Sequence, residues 1–167
     1  YAGAIVQLAA LTEPLQTFTF DAASAEEKQE SALPVTVVFS DPPDNPEMVV
    51  AAIREGVQQA YQVLAFERGF RTPEMPLDVI IGEVGEHAWG YAYLTDCRTL
   101  CLSRELAGAD EIKKFVAHLY FHTIQNFANN HRSKIDHYVE NQWFTEGTAC
   151  WAMDEVFDAL PGRYHAT

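Results

Sequence analysis

Residues 116–125 read VAHLYFHTIQ. His118 and His122 stand four apart in a run with Phe115, Leu119, Phe121, Ile124 and Phe127 among its apolar members, which predicts a helix from about Asp110 to Asn129. An α-helix turns about 100° and rises about 1.5 Å per residue, so positions i and i+4 lie on one face. Two imidazoles placed this way can meet a single metal ion as two of three protein ligands. Two histidines that simply belong to a packed helix have the same spacing. What decides between these readings is a third ligand, and it must come from elsewhere in the chain.

The stretch Trp143-Phe144-Thr145-Glu146-Gly147-Thr148-Ala149 offers one. Glu146 follows His122 by 24 residues, enough chain to bring a second helix antiparallel beside the first. That helix starts near Trp143–Glu146 and runs through Ala149, Trp151, Ala152 and Val156 to Leu160, where Pro161-Gly162 stops it. Asn129-Asn130-His131-Arg132-Ser133 closes the first helix. Trp143 and Trp151 read as core and staple positions against the histidine helix.

Upstream, Val35-Thr36-Val37-Val38-Phe39 is a β-branched run closed by a dense breaker cluster over residues 40–46, and it predicts a strand. Glu47 to Arg68 predicts a helix, with Val49, Val50, Ile53, Val57, Ala60, Tyr61 and Leu64 at three- and four-residue steps and Gly69 at its end. Leu77–Ile81 predicts a second strand. Gly82–Thr95, rich in glycine and aromatic residues, reads as a loop feeding a third strand, and Thr99–Ser103 as a further one. Residues 21–33, polar and acidic, read as a loop. The order predicts an α+β domain over residues 34–167, with helices beside a mixed sheet, behind an acidic, partly flexible lead-in over residues 1–33.

Composition narrows the partners. The 167 residues suit one domain, and 48% apolar with 12% aromatic content fits a folded chain. The formal net charge is −13, and residues 1–50 hold eight acidic side chains against one lysine. A chain so acidic repels nucleic acid and anionic membrane, both of which call for a basic patch. No apolar run reaches the roughly 18–20 residues that span a bilayer. The opening YAGAIVQLAALTEP has no basic residue ahead of it and reads poorly as a signal peptide. Cys97, Cys101 and Cys150 are too few for a disulfide framework, although Cys97 and Cys101 are close enough in sequence to pair across a turn.

Together, VAHLYFHTIQNF and WFTEGTACWAMDEVFD resemble the active-site region of the gluzincins. The likeness is to bacterial and archaeal metallopeptidases of the form A-H-E-x-x-H-x-x-Q…W-x-x-E-G-x-A-x-W-x-E-D, and it spans roughly residues 35–160. It implies a zincin-like fold: a mixed sheet with a long helix, a metal-site helix and a following ligand helix. It implies zinc as cofactor, with His118, His122 and Glu146 as ligands. It implies an extended peptide or protein substrate lying along Thr99–Ser103 as the edge strand. An extracellular or cell-envelope location follows from the same resemblance and the acidic composition. Gluzincin domains often continue with further helices, so a chain stopping at Tyr164-His165-Ala166-Thr167 reads as C-terminally truncated.

The departures are as informative as the matches. The family's glutamate after the first histidine is the general base, which takes a proton from the attacking water and passes it to the leaving amine. Leu119 stands there in this chain. Losing a positioned acid–base group costs on the order of 10²–10⁴ in rate. Glu83 and Glu86 are stand-in bases only if the fold delivers them. His131, His137 and Tyr138 are candidate oxyanion helpers, and His87 is a further candidate ligand if its loop folds over the site. Trp89, Tyr91 and Tyr93 are candidate groove residues. One turn beyond Glu146, where some gluzincins carry a carboxylate that orients a ligand histidine, this chain has Cys150, a second candidate ligand. The expected function is a zinc-binding pseudopeptidase or disarmed variant, weak or inactive in peptide hydrolysis. The alternatives are an active peptidase with another base and a non-metal binding or structural module on the same fold.

Overall fold

A computed structural model describes residues 34–40, 42–73, 76–84, 89–92, 97–106, 108–128 and 141–157, and the backbone of residues 16–21. Five strands, β1 (Gln16–Asp21), β2 (Pro34–Phe39), β3 (Leu77–Gly82), β4 (Gly90–Ala92) and β5 (Thr99–Ser103), form one mixed sheet in the order β1-β2-β3-β5-β4. The central strands β2, β3 and β5 run parallel, and the outer strands β1 and β4 are antiparallel to their neighbours. Helices α1 (Pro46–Ala60), α2 (Ala109–Ala128) and α3 (Gln142–Phe157) complete an α+β architecture.

Alternation along the strands sets the core. Val35, Val37 and Phe39 of β2, Leu77, Val79 and Ile81 of β3, and Leu100 and Leu102 of β5 join one buried cluster. Val49, Val50, Ile53 and Val57 of α1 and Ile112, Val116, Leu119 and Tyr120 of α2 belong to it too. A two-residue period on the sheet therefore meets a 3.6-residue period on the helices. Gly56 lets α1 and α2 come together closely. A Cβ there would lie 2.8 Å from the Lys113 carbonyl oxygen and 3.3 Å from Val116 Cβ.

The ends of α1 follow local chemistry. The Asn45 side chain accepts from the Met48 amide at 3.1 Å, and Pro46 fits the first turn, where its missing N–H costs nothing. At the other end the helix continues as a π-helical segment, Tyr61–Glu67. Gly69 then stops it at φ +72°, a left-handed conformation natural to glycine, and the Phe70 amide donates back to the Leu64 carbonyl.

Three features depart from the sequence reading. Strand β1 lies within the acidic lead-in and pairs with β2 along its whole length. Thr99–Ser103 is not at the sheet edge: β5 is flanked by β3 on one side and β4 on the other, because the chain places β4 outermost and then turns back inside it. Trp143 is not a core position and is 77% exposed. Ala149, Ala152 and Met153 define the buried face of α3, and at about 100° per residue Trp143 lies opposite Ala152. Trp151 does reach the histidine helix, edge-to-face on Phe121 with ring centroids 6.1 Å apart. None of the three cysteines is in a disulfide, and Cys97 and Cys101 are both buried.

Candidate metal centre

The site lies where α2 faces α3. His118 and His122 project from one side of α2, with side chains 11% and 9% exposed, and Glu146 reaches across from the first turns of α3. Ala149 and Ala152, both fully buried, give α3 the small-residue face that seats it against the core. His118 Nε2 and His122 Nε2 are 3.1 Å apart. Glu146 Oε2 is 3.3 Å from the first and 3.4 Å from the second. Among the described residues, these three are the group of histidine, cysteine and acidic side chains that could hold a metal ion.

The triangle can be compared with what a metal requires. For zinc bound at about 2.0–2.1 Å in tetrahedral geometry, adjacent ligand atoms lie about 3.3 Å apart. The three observed edges bracket that value. Two neutral imidazoles and a carboxylate, leaving a fourth position open, is also a donor set suited to zinc. The residues present therefore fit the ion that the sequence implied.

Contacts on the far side of each ring hold the donors in place. Gln125 Oε1 is 2.7 Å from His122 Nδ1, while Gln125 Nε2 donates to the Thr145 carbonyl at 3.0 Å and to Thr148 Oγ1 at 2.7 Å. Cys150 Sγ lies 3.9 Å from His118 Nδ1. Phe115 stacks on the His118 ring, with centroids 5.5 Å apart and planes 7° from parallel, and the two histidine rings meet at 86°. Burial pushes the His118 imidazole below its ordinary value, against the opposing hydrogen bond that the ring donates to Glu146. The effect favours the neutral ring that a metal needs. Burial, reinforced by the Glu146 and Asp154 carboxylates, pushes the Cys150 thiol up. Cys150 thus stays protonated near neutral pH and addresses the ring nitrogen that points away from the triangle. Its place is beside Nδ1 of His118, one turn beyond Glu146.

Leu119 occupies a different environment from its histidine neighbours. It is 1% exposed and part of the core cluster. Strand β4 sits directly over it: a Cβ on Gly90 would lie 3.1 Å from Leu119 Cδ1, 2.8 Å from Phe115 and 2.4 Å from the Cys101 carbonyl oxygen. Only a glycine allows that approach. Tyr120 is fully buried among core residues, and burial pushes its hydroxyl up. Glu83 is exposed and paired with Arg104 at 2.8 Å. Trp89 is half-exposed beside β4, and Tyr91 lies within that strand. Glu86, His87, Tyr93, His131, His137 and Tyr138 fall outside the described residues.

The structure thus brings together His118, His122 and Glu146 from the sequence-derived set, with Cys150 behind His118. Gln125 carried no expected role, although two signals marked it: it stands at the Q of the resembling pattern, and it lies three residues after His122 on the same helical face. Compared with models of protein families, with curated proteins and with solved structures, the chain matches none.

Proposed function

We propose that this chain is a zincin-like, gluzincin-type domain that binds one zinc ion through His118, His122 and Glu146 and is weak or inactive in peptide hydrolysis. The observation that carries the reading is the donor triangle, whose edges of 3.1, 3.3 and 3.4 Å match one face of a zinc tetrahedron. The strand order adds support, since the outermost strand is antiparallel and lies against the helix that carries the histidines.

A zinc ion held there supplies Lewis acidity and an anchoring point for a carbonyl or carboxylate. The chain's own residues do the rest. His118 and His122 bind as neutral imidazoles, Glu146 offsets the ion's charge, and Phe115 and Leu119 exclude water from the side facing the sheet. At the position where the resembling family has its general base, Leu119 offers neither a donor nor an acceptor. A ligand with an extended backbone fits beside β4, the strand seated on Leu119, rather than beside Thr99–Ser103. The function that follows is recognition of a peptide or protein segment rather than its cleavage.

Zinc stoichiometry tests the reading first. The purified protein is expected to hold one zinc per chain, and chelation is expected to lower its Tm. Absence of zinc, together with no rise in Tm on adding it, would return the histidines to a hydrogen-bonded packing role. Peptidase assays then separate binding from catalysis. The chain itself is expected to show little cleavage and Leu119→Glu measurably more, while robust cleavage by the unmodified chain would point to another base.

A further inference from the structure

We infer that Gln125 is the positioning residue of this site: it sets the tautomer of His122 so that the Nε2 lone pair faces Glu146, and it ties α2 to the turn that carries Glu146. The inference rests on the zinc-site reading above for its consequence in affinity, but not for its effect on the tautomer.

The Thr145 carbonyl oxygen can only accept, so the Gln125 atom 3.0 Å from it must be the amide nitrogen. The other end of the amide is then the oxygen, an acceptor, and it lies 2.7 Å from His122 Nδ1. That nitrogen must carry a proton. In a neutral imidazole only one nitrogen is protonated, so His122 Nε2 is left with a bare lone pair. This lone pair points into a space shared with His118 Nε2 at 3.1 Å and with Glu146 Oε2 at 3.4 Å.

A bare nitrogen lone pair facing a carboxylate oxygen calls for a positive or hydrogen-donating group between them. A proton on His122, the Nε2–H of a neutral His118 or a metal ion meets that need, and the edges of the donor triangle suit the metal. The same side chain also bridges the helices. Thr145 and Thr148, its two partners on α3, bracket Glu146 in sequence. One amide therefore sets the direction of one ligand's lone pair and the distance to another ligand. An outer residue of this kind typically alters metal affinity about 10- to 100-fold.

The test combines two measurements on the full chain. Nitrogen-15 spectra of histidine-labelled, metal-free protein at about pH 8, where an ordinary histidine is neutral, report which ring nitrogen of His122 is protonated. Competition with a chromophoric chelator reports the zinc dissociation constant. Unmodified protein is expected to show the Nδ1–H form at His122. Gln125→Leu is expected to lose the preference for that form and to bind zinc about 10- to 100-fold more weakly. Gln125→Glu retains an acceptor for Nδ1–H and is expected to keep the tautomer. Thr148→Val removes one tie to α3 while leaving the tautomer unchanged, and is expected to weaken zinc binding by less than Gln125→Leu does. The inference is overturned if His122 keeps the same tautomer in Gln125→Leu, if that variant binds zinc like the unmodified chain, or if Gln125→Glu loses the Nδ1–H form. Should Gln125→Leu fail to fold, the Gln125→Glu and Thr148→Val spectra still decide the point. Should the unmodified chain bind no zinc, the metal reading fails while the tautomer spectra still decide the role of Gln125.

Discussion

Helix α2 has two sides built on opposite principles. Toward α1 and the sheet it is apolar and close-packed: Ile112, Val116, Leu119 and Tyr120 lie in the core, and Gly56 brings the α1 backbone against Lys113. Toward α3 it presents His118, His122 and Gln125, which meet Glu146, Thr145, Thr148 and Cys150. The first side is what a stable domain requires. The second buries His118 and His122 and half-buries the groups around them, and a buried polar group must find a partner to avoid a desolvation cost. Such an arrangement adds little to stability by itself and is well suited to holding a cation.

The largest effect expected from breaking this contrast is on the apolar side. Leu119→Ala should destabilise the fold by about 2–5 kcal/mol, the range for deleting a buried leucine. Urea denaturation measures it, and zinc stoichiometry should survive, since Leu119 offers no ligand atom. The polar side should behave in the reverse way. Zinc at about 100 times its dissociation constant should stabilise the protein by about 2.7 kcal/mol, and Glu146→Gln should abolish most of that gain in a thermal melt.

A smaller effect is expected at the α1–α2 contact. Gly56→Ala forces a methyl group to within 2.8 Å of the Lys113 carbonyl oxygen, and overpacking of this kind costs about 1–3 kcal/mol. A fall in the urea midpoint with unchanged zinc affinity is the expected outcome. The smallest effect, with opposite sign, is at Gly147. A Cβ there meets nothing within 4 Å among the described residues, so Gly147→Ala should stabilise α3 by up to about 1 kcal/mol. If that variant instead weakens capture of a peptide ligand, the open space beside Glu146 belongs to the binding face.

Much of the fold could be read from local pattern. The helix expected from Asp110 to Asn129 is observed over Ala109–Ala128, and the strand expected at Thr99–Ser103 has those bounds. These segments carry strong periodicity and clear breakers, both properties of the chain itself. Strand β1 is different. Gln16–Asp21 reads QTFTFD, a Thr–Phe alternation that suits a strand, but it is short and set in a polar, acidic stretch, and its pairing with β2 places it in the sheet. The three-residue β4 is too short to show a period, and the edge position expected of Thr99–Ser103 came from the family resemblance rather than from the residues. The π-helical segment after Ala60 continues the apolar spacing of α1 and leaves no mark that distinguishes it from a further α-helical turn.

The candidate site divides along the same line. The sequence by itself determined that His118 and His122 share a face, because helical geometry over four residues is local and nearly invariant. Only the tertiary structure decided that Glu146 meets the pair, that Cys150 stands behind His118 and outside that triangle, and that Gln125 addresses Nδ1 of His122. These facts depend on the distance and rotation between α2 and α3. That relation is set by Ala149 and Ala152 packing into a core assembled from segments far apart in the chain, and no short stretch of sequence contains it.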